Sequence, residues 1–553
     1  MNPHQKRGDA PAVPPRQAHS STFYAMLSIN TINGQLISPI PRGFRYFILG
    51  AILVLPIALY IGVQFLTWSE IFGSLLVLFV VTLTLFSFQS GLMLLLAFLP
   101  FEPLLLKFVP ADISFFFRLI PEAIIYSLFL VAAVRAAIYK NIRDESRKKV
   151  NNPLIFALFL LAGLSLISAL VNRVDPIVTA VGVRQIFRFI ILYVALTWSG
   201  LKNRQIMLVL GLVAAVAALE SALGLLQAAV GSSLDALLYT GREFFVGRFR
   251  VAQEIFQVRT EGSRVFATMG RYDQLGTFLS LVAAAALGFV YRAAEKYKKY
   301  ALLLLLIILP ALFLTYSRAS WFGFLLGLIV VAIIIQRDKK VLAALMIVLV
   351  SLVGYTAFRE IEVRRLIDEP SVSPMHRLLE AFSERRLRSE YTGKGRVYFI
   401  IETPPAVLRT SPLLGMGPGQ YGGGAAALLH NTAGYDELNL PFGVYGTEGQ
   451  VDNNWMSLLG ELGLLGVLVY LSIFISLILF SRKVLKDPRS TWLGKSLALG
   501  LIAATVSFAA QGFLGTYFEM RTLATYYWLL AGLTVVAAQS QMGSKGEGGL
   551  RGL

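Results

Sequence analysis

Apolar runs of roughly 20 residues recur from Phe44 to Gln539, and each is long enough to cross a bilayer as a helix. The runs are continuous rather than alternating. That excludes barrel strands and calls for helices, which satisfy their own backbone groups in lipid. Hydrophobic residues make up 56% of the chain and mean hydropathy is +0.66, far above what a soluble domain sustains. The chain therefore reads as all-α, a polytopic helical membrane protein with about fourteen transmembrane helices and two large extracytoplasmic segments.

The expected spans are 44–66, 71–88, 90–108, 119–139, 153–171, 180–199, 205–229, 275–291, 301–316, 320–336, 341–358, 453–480, 494–516 and 522–539. Five basic loops, at 140–149, 201–204, 291–299, 337–340 and 481–489, then fall on one side. The positive-inside rule makes that side cytoplasmic. Residues 1–43 and 541–553 read as cytoplasmic tails, the first disordered. Spans 1–11 occupy 44–358 and enclose an extracytoplasmic loop at 231–274. A large extracytoplasmic loop domain fills 359–452, and the last three spans occupy 453–540. Within the large loop, MHRLLEAFSERRLRSEY reads as an amphipathic helix with Leu378, Leu379, Phe382 and Leu387 on one face. It suits either a helix lying on the membrane surface or a lid.

The net charge of +18 sits largely in these short loops, so it reports topology and not nucleic-acid binding. With no cysteine, disulfides and thiolate metal sites are excluded.

Arg184 and Arg188 are the chain's least expected residues, four apart in the apolar stretch GVRQIFRFIILYVALTW. A guanidinium cannot shed its charge, so burying two demands an anion. Their spacing puts both on one helix face, suited to phosphate or diphosphate. The alternative is an internal carboxylate, for which Glu220 in ALESALGLLQ is the candidate, or snorkelling to the interface. The topology brings further polar groups to the same outer depth: Arg264 in EGSRVFATMG, Arg318 in YSRAS, Arg396 in GRVYFIIET, and Asp452-Asn453-Asn454 before a span.

These stretches, with RVFATMGRYDQLGTFLSL, YSRASWFGFLLGL, GRVYFIIETPPAVLRTSPLLGMGPGQY and VDNNWMSLLGELGLLG, resemble the O-antigen ligase and O-antigen polymerase superfamily. The resemblance runs from about residue 150 onward. It implies an inverting, metal-independent glycosyltransferase of the bacterial inner membrane, acting at the outer, periplasmic face. Its donor would be a polyprenyl-diphosphate-linked glycan and its partners membrane lipids, a lipid-linked acceptor and a chain-length regulator protein, with no cofactor and no nucleic acid. Arg184 or Arg188, together with Arg264, match the arginines that hold the donor diphosphate. Ligases carry a His-Asn pair where this chain has Asp452-Asn453-Asn454, which favours a polymerase. His430-Asn431 lies about twenty residues earlier and keeps transfer to lipid A-core open as an alternative. A lipid-linked oligosaccharide flippase is the alternative of another class.

Glycosyl transfer needs cations for the departing diphosphate and an acceptor for the hydroxyl proton. Arg184, Arg188, Arg264 and Arg318 are the expected diphosphate ligands. Asp452, Glu448 and Asn453 are the expected catalytic groups, and Arg396, Asn454 and Glu220 further substrate contacts. Asp452 suits an N-cap equally well. No metal site is expected: the chain lacks a D-x-D pair, and Glu360-Ile361-Glu362 reads as ordinary surface charge. Gly415, Gly417 and Gly419 look like a phosphate cradle but lack its strand–helix context, so a flexible turn over the site fits better. Trp321, Trp455, Tyr517 and Phe518 suit sugar stacking or interfacial anchoring.

Overall fold

A computed structural model describes residues 67–138, 153–238, 243–246, 249–252, 255–259, 264–358, 379–380, 383–443 and 448–539. Both tails, the expected span 44–66 and Glu360-Ile361-Glu362 lie outside these residues. The helices are α1 Trp68–Phe86, α2 Phe88–Phe108, α3 Ala111–Ile138, α4 Pro153–Val171, α5 Pro176–Phe187, α6 Ile190–Thr197, α7 Asn203–Val230 and α8 Ser232–Leu238. They continue with α9 Tyr272–Arg292, α10 Glu295–Leu314, α11 Arg318–Leu328 and α12 Lys339–Phe358. The large loop holds α13 Glu384–Thr392, α14 Arg396–Thr410, α15 Gly424–Leu428 and α16 Ala433–Leu438. The chain ends with α17 Asn454–Lys486, α18 Trp492–Gln511 and α19 Arg521–Gln539. Every expected span from 71–88 onward has a helix under it. Among the described residues, 10 helices are long and apolar enough to cross a membrane, or up to 11 with the bent pair α5–α6. The chain is thus an all-α polytopic membrane protein. Glu243–Val246, Phe249–Ala252 and Ile255–Arg259 (β1–β3) add a small antiparallel meander to the segment between α8 and α9.

Ser87 shows how little sequence separates two spans. Its amino-side neighbour Phe86 ends α1, and its hydroxyl accepts from Ser90 N to start α2. Residues in or beside the basic loops make contacts across neighbouring helix ends. Gln205 donates to Gln89 (3.0 Å), Tyr291 to Asp338 (2.9 Å), and Tyr297 stacks on Trp492.

α9 and α18 are largely buried, α19 even more so, and they form the centre of the bundle. Small residues let their backbones touch: a Cβ on Gly288 would stand 2.0 Å from Ser496 O, and one on Gly500 2.6 Å from Ala285 O. In lipid such close packing replaces the hydrophobic drive that soluble helices rely on.

Two spans are broken where the polar chemistry sits. The run expected as one helix over 180–199 bends by 57° between α5 and α6, at Arg188 and Phe189. α17 breaks at Gly463, whose φ of 64° and ψ of −164° no side-chain-bearing residue adopts cheaply. The backbone groups freed by that break are taken up by the loop after α14. Met416 N–H donates to Gly460 O (2.8 Å), Gly417 N–H to Glu461 O (2.8 Å), and Leu464 N–H to Pro412 O (2.9 Å). Irregular backbone at membrane depth is tolerable only when it is re-satisfied in this way. Gly415 (φ 66°) leaves room for this pairing, since a Cβ there would meet Gly460 O and Gly463 N at 2.6 Å.

Of the expected amphipathic loop helix, α13 is the regular part. Leu379 is buried and Leu387 exposed, so the apolar stripe does not face one surface as expected. Leu378 and Phe382 lie outside the described residues.

Candidate functional site

Arg184 and Arg188 flank the bend between α5 and α6, and both reach the same carboxylate. Arg184 Nε donates to Glu122 Oε2 (2.9 Å) and its Nη2 to Oε1 (2.6 Å). Arg188 Nη1 lies 3.5 Å from Glu122 Oε1. The one-face reading of the pair therefore holds. The internal counter-ion is Glu122 of α3, however, and not Glu220. Arg188 Nη2 also donates to the carbonyl of Glu519 (2.7 Å), and its Nε is buried with no hydrogen-bond partner among the described residues.

Glu220 supports a different element. It is fully buried and accepts from Thr268 Oγ1 (2.5 Å) and Thr268 N (3.2 Å). Seven residues on, Gln227 Oε1 accepts from Phe266 N (2.9 Å) and Ala267 N (3.0 Å). One face of α7 thus anchors the tight turn Phe266–Gly270, in which Ala267 holds a φ of 47°. That turn presents Arg264, stacked 4.4 Å over the Tyr272 ring, and Arg271, which forks onto Asp273 at 3.0 and 2.8 Å.

A second group gathers around Tyr517. Arg396 Nε donates to Asp452 O (3.0 Å), and its guanidinium pairs with the Asp452 carboxylate. Tyr517 is buried within electrostatic reach of Asp273, Arg396, Asp452 and Tyr272. Burial, then the Asp273 charge, holds its phenol well above the usual tyrosine range. The N-cap of α17 is Asn453, not Asp452. Asn453 Oδ1 accepts from Trp455 N (3.0 Å) and Met456 N (3.1 Å), and its Nδ2 donates to Phe513 O (3.0 Å). Asn454 Oδ1 accepts from Phe518 N (2.8 Å).

The segment 512–520 between α18 and α19 joins the two groups. Its Glu519 meets Arg188, and its Tyr517 stands beside Arg396 and Asp452. Sequence reasoning singled out Tyr517 and Phe518 only as sugar-stacking or interfacial aromatics. Both pack inward: Phe518 lies 5.4 Å from Trp455 and 5.3 Å from Tyr470, in an aromatic core that includes Phe474 and Phe508. Trp321 stacks on Phe313 and donates to Leu312 O (2.9 Å).

Arg318 is engaged by the loop domain, 3.2 Å from the fully buried Glu380, which also pairs with Arg386. Glu448 is exposed. His430 is exposed, and Asn431 donates to Gly419 O (3.2 Å) and Gln420 Oε1 (3.0 Å). The glycine-rich stretch is neither a phosphate cradle nor a loose turn. Two of its N–H groups donate to protein carboxylates, Gly419 N to Glu461 Oε1 (2.9 Å) and Gly424 N to Glu519 Oε2 (2.8 Å), and others to backbone carbonyls. Among the described residues no group of three His, Cys, Asp or Glu is placed to hold a metal ion.

The missed residues are Glu122, Asp273, Arg271 and Glu519. Each is a charge in or beside a span, and the rule that drew attention to Glu220 applied equally to them.

No curated protein matches the chain. Residues 301–471, which carry the Arg318 turn, the glycine-rich loop and the break in α17, match the family model described as O-Antigen ligase, and this match supports the likeness to the O-antigen ligase and polymerase superfamily.

Proposed function

We propose that the chain is a glycan polymerase. It transfers a polyprenyl-diphosphate-linked glycan to a lipid-linked repeat at the outer face of the bacterial inner membrane, with inversion and without a metal. The observation that carries this reading is the sharing of one carboxylate, Glu122, by Arg184 and Arg188. The two guanidiniums share that one carboxylate between them, and Arg188 Nε still has a donor to give. A diphosphate matches two adjacent forks. Charge building on it as the sugar leaves is what such fixed donors stabilise.

Arg264, Arg271 and Arg396 supply further cations at the same end, and Asp452 and Asn454 stand beside them on the acceptor side. Arg318 is a further diphosphate ligand once it exchanges Glu380 for the substrate. Membrane lipids surround the site, and a chain-length regulator protein is the natural partner. A polymerase is preferred to a ligase because the mouth of α17 carries Asp452-Asn453-Asn454, while the His430-Asn431 pair lies elsewhere in the loop.

The test is incubation of purified protein with a lipid-linked repeat, with and without lipid A-core, in the presence of EDTA. A ladder formed without lipid A-core supports the proposal. Product formed only on lipid A-core makes the protein a ligase. Loss of transfer with EDTA, restored by magnesium, refutes the metal-free mechanism. Movement of lipid-linked glycan across vesicles with no new glycosidic bond makes it a flippase.

A further inference from the structure

Beneath the glycine-rich loop lies a cavity lined by Gln185, Asn454, Ser457, Glu461, Tyr470 and Glu519, with about 40 Å³ of space for water-sized groups. Two carboxylates enter it from different elements. Glu461 comes from the first turns of α17, held by Gly419 N–H on Oε1. Glu519 comes from the 512–520 segment, with Oε2 held by Gln185 Nε2 (2.6 Å) and Gly424 N–H (2.8 Å). One oxygen of each converges on Gly423: a Cβ there would meet Glu519 Oε1 at 3.1 Å and Glu461 Oε1 at 3.3 Å. A side chain at 423 would press on both carboxylates.

A third polar group faces this space. Asn454 is only 4% exposed and lines the cavity, with its Oδ1 taken by Phe518 N–H. Its amide N–H group is a donor that an incoming acceptor can use. A metal ion would be repelled by that N–H group, and a phosphate by the two carboxylates. A hydroxyl both donates and accepts, so it satisfies Asn454 and a carboxylate together. The rings of Tyr470 and Phe518, stacked on each other at 5.3 Å, close the apolar side.

We propose that this cavity receives the attacking hydroxyl of the acceptor sugar, and that Glu519 Oε1 takes its proton. The inference rests on the glycosyl transfer proposed above. The acceptor O–H bond breaks with its proton passing to Glu519, and the oxygen's electron pair forms the bond to the anomeric carbon. The bond from that carbon to the diphosphate breaks, with its electron pair leaving on the diphosphate held by Arg184 and Arg188. Asn454 and Glu461 orient the hydroxyl. The space fits a hydroxyl-bearing edge and one or two waters, each needing ~10–15 Å³, rather than a whole ring. The contact from Arg188 to Glu519 O fixes the proton acceptor next to the leaving-group cations. Asp452 is a poorer base by comparison, because its side chain is 54% exposed and paired with Arg396. Burial pushes the Glu519 carboxyl up from its ordinary value, against the pull of Gly424 N–H, Gln185 and Arg188.

The test uses full-length protein, a lipid-linked repeat as donor and a soluble repeat-unit oligosaccharide as acceptor. E519Q keeps the shape and is expected to lower kcat on the order of 10²–10⁴-fold with donor binding unchanged. N454D keeps the Oδ1 acceptor and removes the N–H donor, and it is expected to raise the acceptor KM at least about tenfold, as lost pairing of a buried polar group does. Rates within threefold of wild type for E519Q, or donor binding lost in proportion to rate, overturn the proposal. If E519Q does not fold, E519D decides: partial activity supports the role, and the wild-type rate refutes it. Wild-type protein that transfers nothing removes the parent reading as well.

Discussion

Replacing Gly463 by alanine isolates the physics of the broken α17. The residue holds φ 64° and ψ −164°, a conformation essentially reserved for glycine, so alanine there is strained by about 1–3 kcal/mol. Its Cβ would also lie 2.4 Å from Leu413 C, 2.5 Å from Leu413 O and 2.6 Å from Leu414 N. These are backbone atoms, and they cannot retreat without pulling on Leu464 N–H to Pro412 O (2.9 Å) and Leu465 N–H to Leu413 O (3.3 Å). Each such bond is worth about 1 kcal/mol net, and more if a buried group is left unpaired. The expected loss is about 3–5 kcal/mol, combining the strain with the two weakened bonds. The control is G211A on α7, where a Cβ meets nothing within 4 Å. There alanine should be neutral or stabilise by up to about 1 kcal/mol. Thermal unfolding of both variants in the same nanodisc measures the difference. Equal melting temperatures would mean that the break at Gly463 is not fixed by this geometry. The assignment of the loop at 412–417 as its partner would then fail.

R188A should reduce transfer on the order of 10²–10³-fold, as loss of one charge-stabilising donor does, and R188K should recover only part because the fork is lost; full activity of either in an initial-rate assay refutes the role. E122A should destabilise by about 3–5 kcal/mol by orphaning the buried Arg188, whereas E122A added to an R188M background should cost far less; equal costs in chemical unfolding would show that the pair does not interact. The transfer rate should rise with pH through a Glu519 carboxyl raised above its ordinary value, with Arg188 and Glu461 as its charged neighbours. The folded state binds the extra proton, so stability is full below the ordinary glutamate value and falls as pH rises through the raised one; E519Q should remove both trends, read from rate and melting profiles.

The spans were legible because the thickness of the bilayer sets a length that apolar runs either reach or miss. Breaks within them were not. α5 and α6 are as apolar as a straight helix, and nothing at Arg188-Phe189 resembles a glycine or proline interruption. Gly463 in GELG was a visible signal, but its meaning depends on a loop some fifty residues upstream that supplies the missing hydrogen bonds. The meander over 243–259 also left a trace, in the alternating EFFVGRFRVA, that the neighbouring apolar spans overshadowed. The one-residue shift of the α17 cap from Asp452 to Asn453 is the usual uncertainty of a helix end. Its consequence is large here, because it frees Asp452 to pair with Arg396.

The arginines illustrate why charge type is easier to infer than charge partner. A guanidinium in an apolar run announces that an anion must exist, but not where along the chain it lies. Glu122 is 62 residues before Arg184, and the Glu519 carbonyl 331 after Arg188. Glu220, nearer in sequence, supports the turn that carries Arg264 and Arg271 instead. Such internal pairing fits a binding site. A cation awaiting a diphosphate must be kept in place while the substrate is away, and a lone buried guanidinium would cost several kcal/mol. One carboxylate shared by two arginines meets that need only in part, which keeps the fold intact and leaves the buried Arg188 Nε as a donor that an incoming diphosphate would take up.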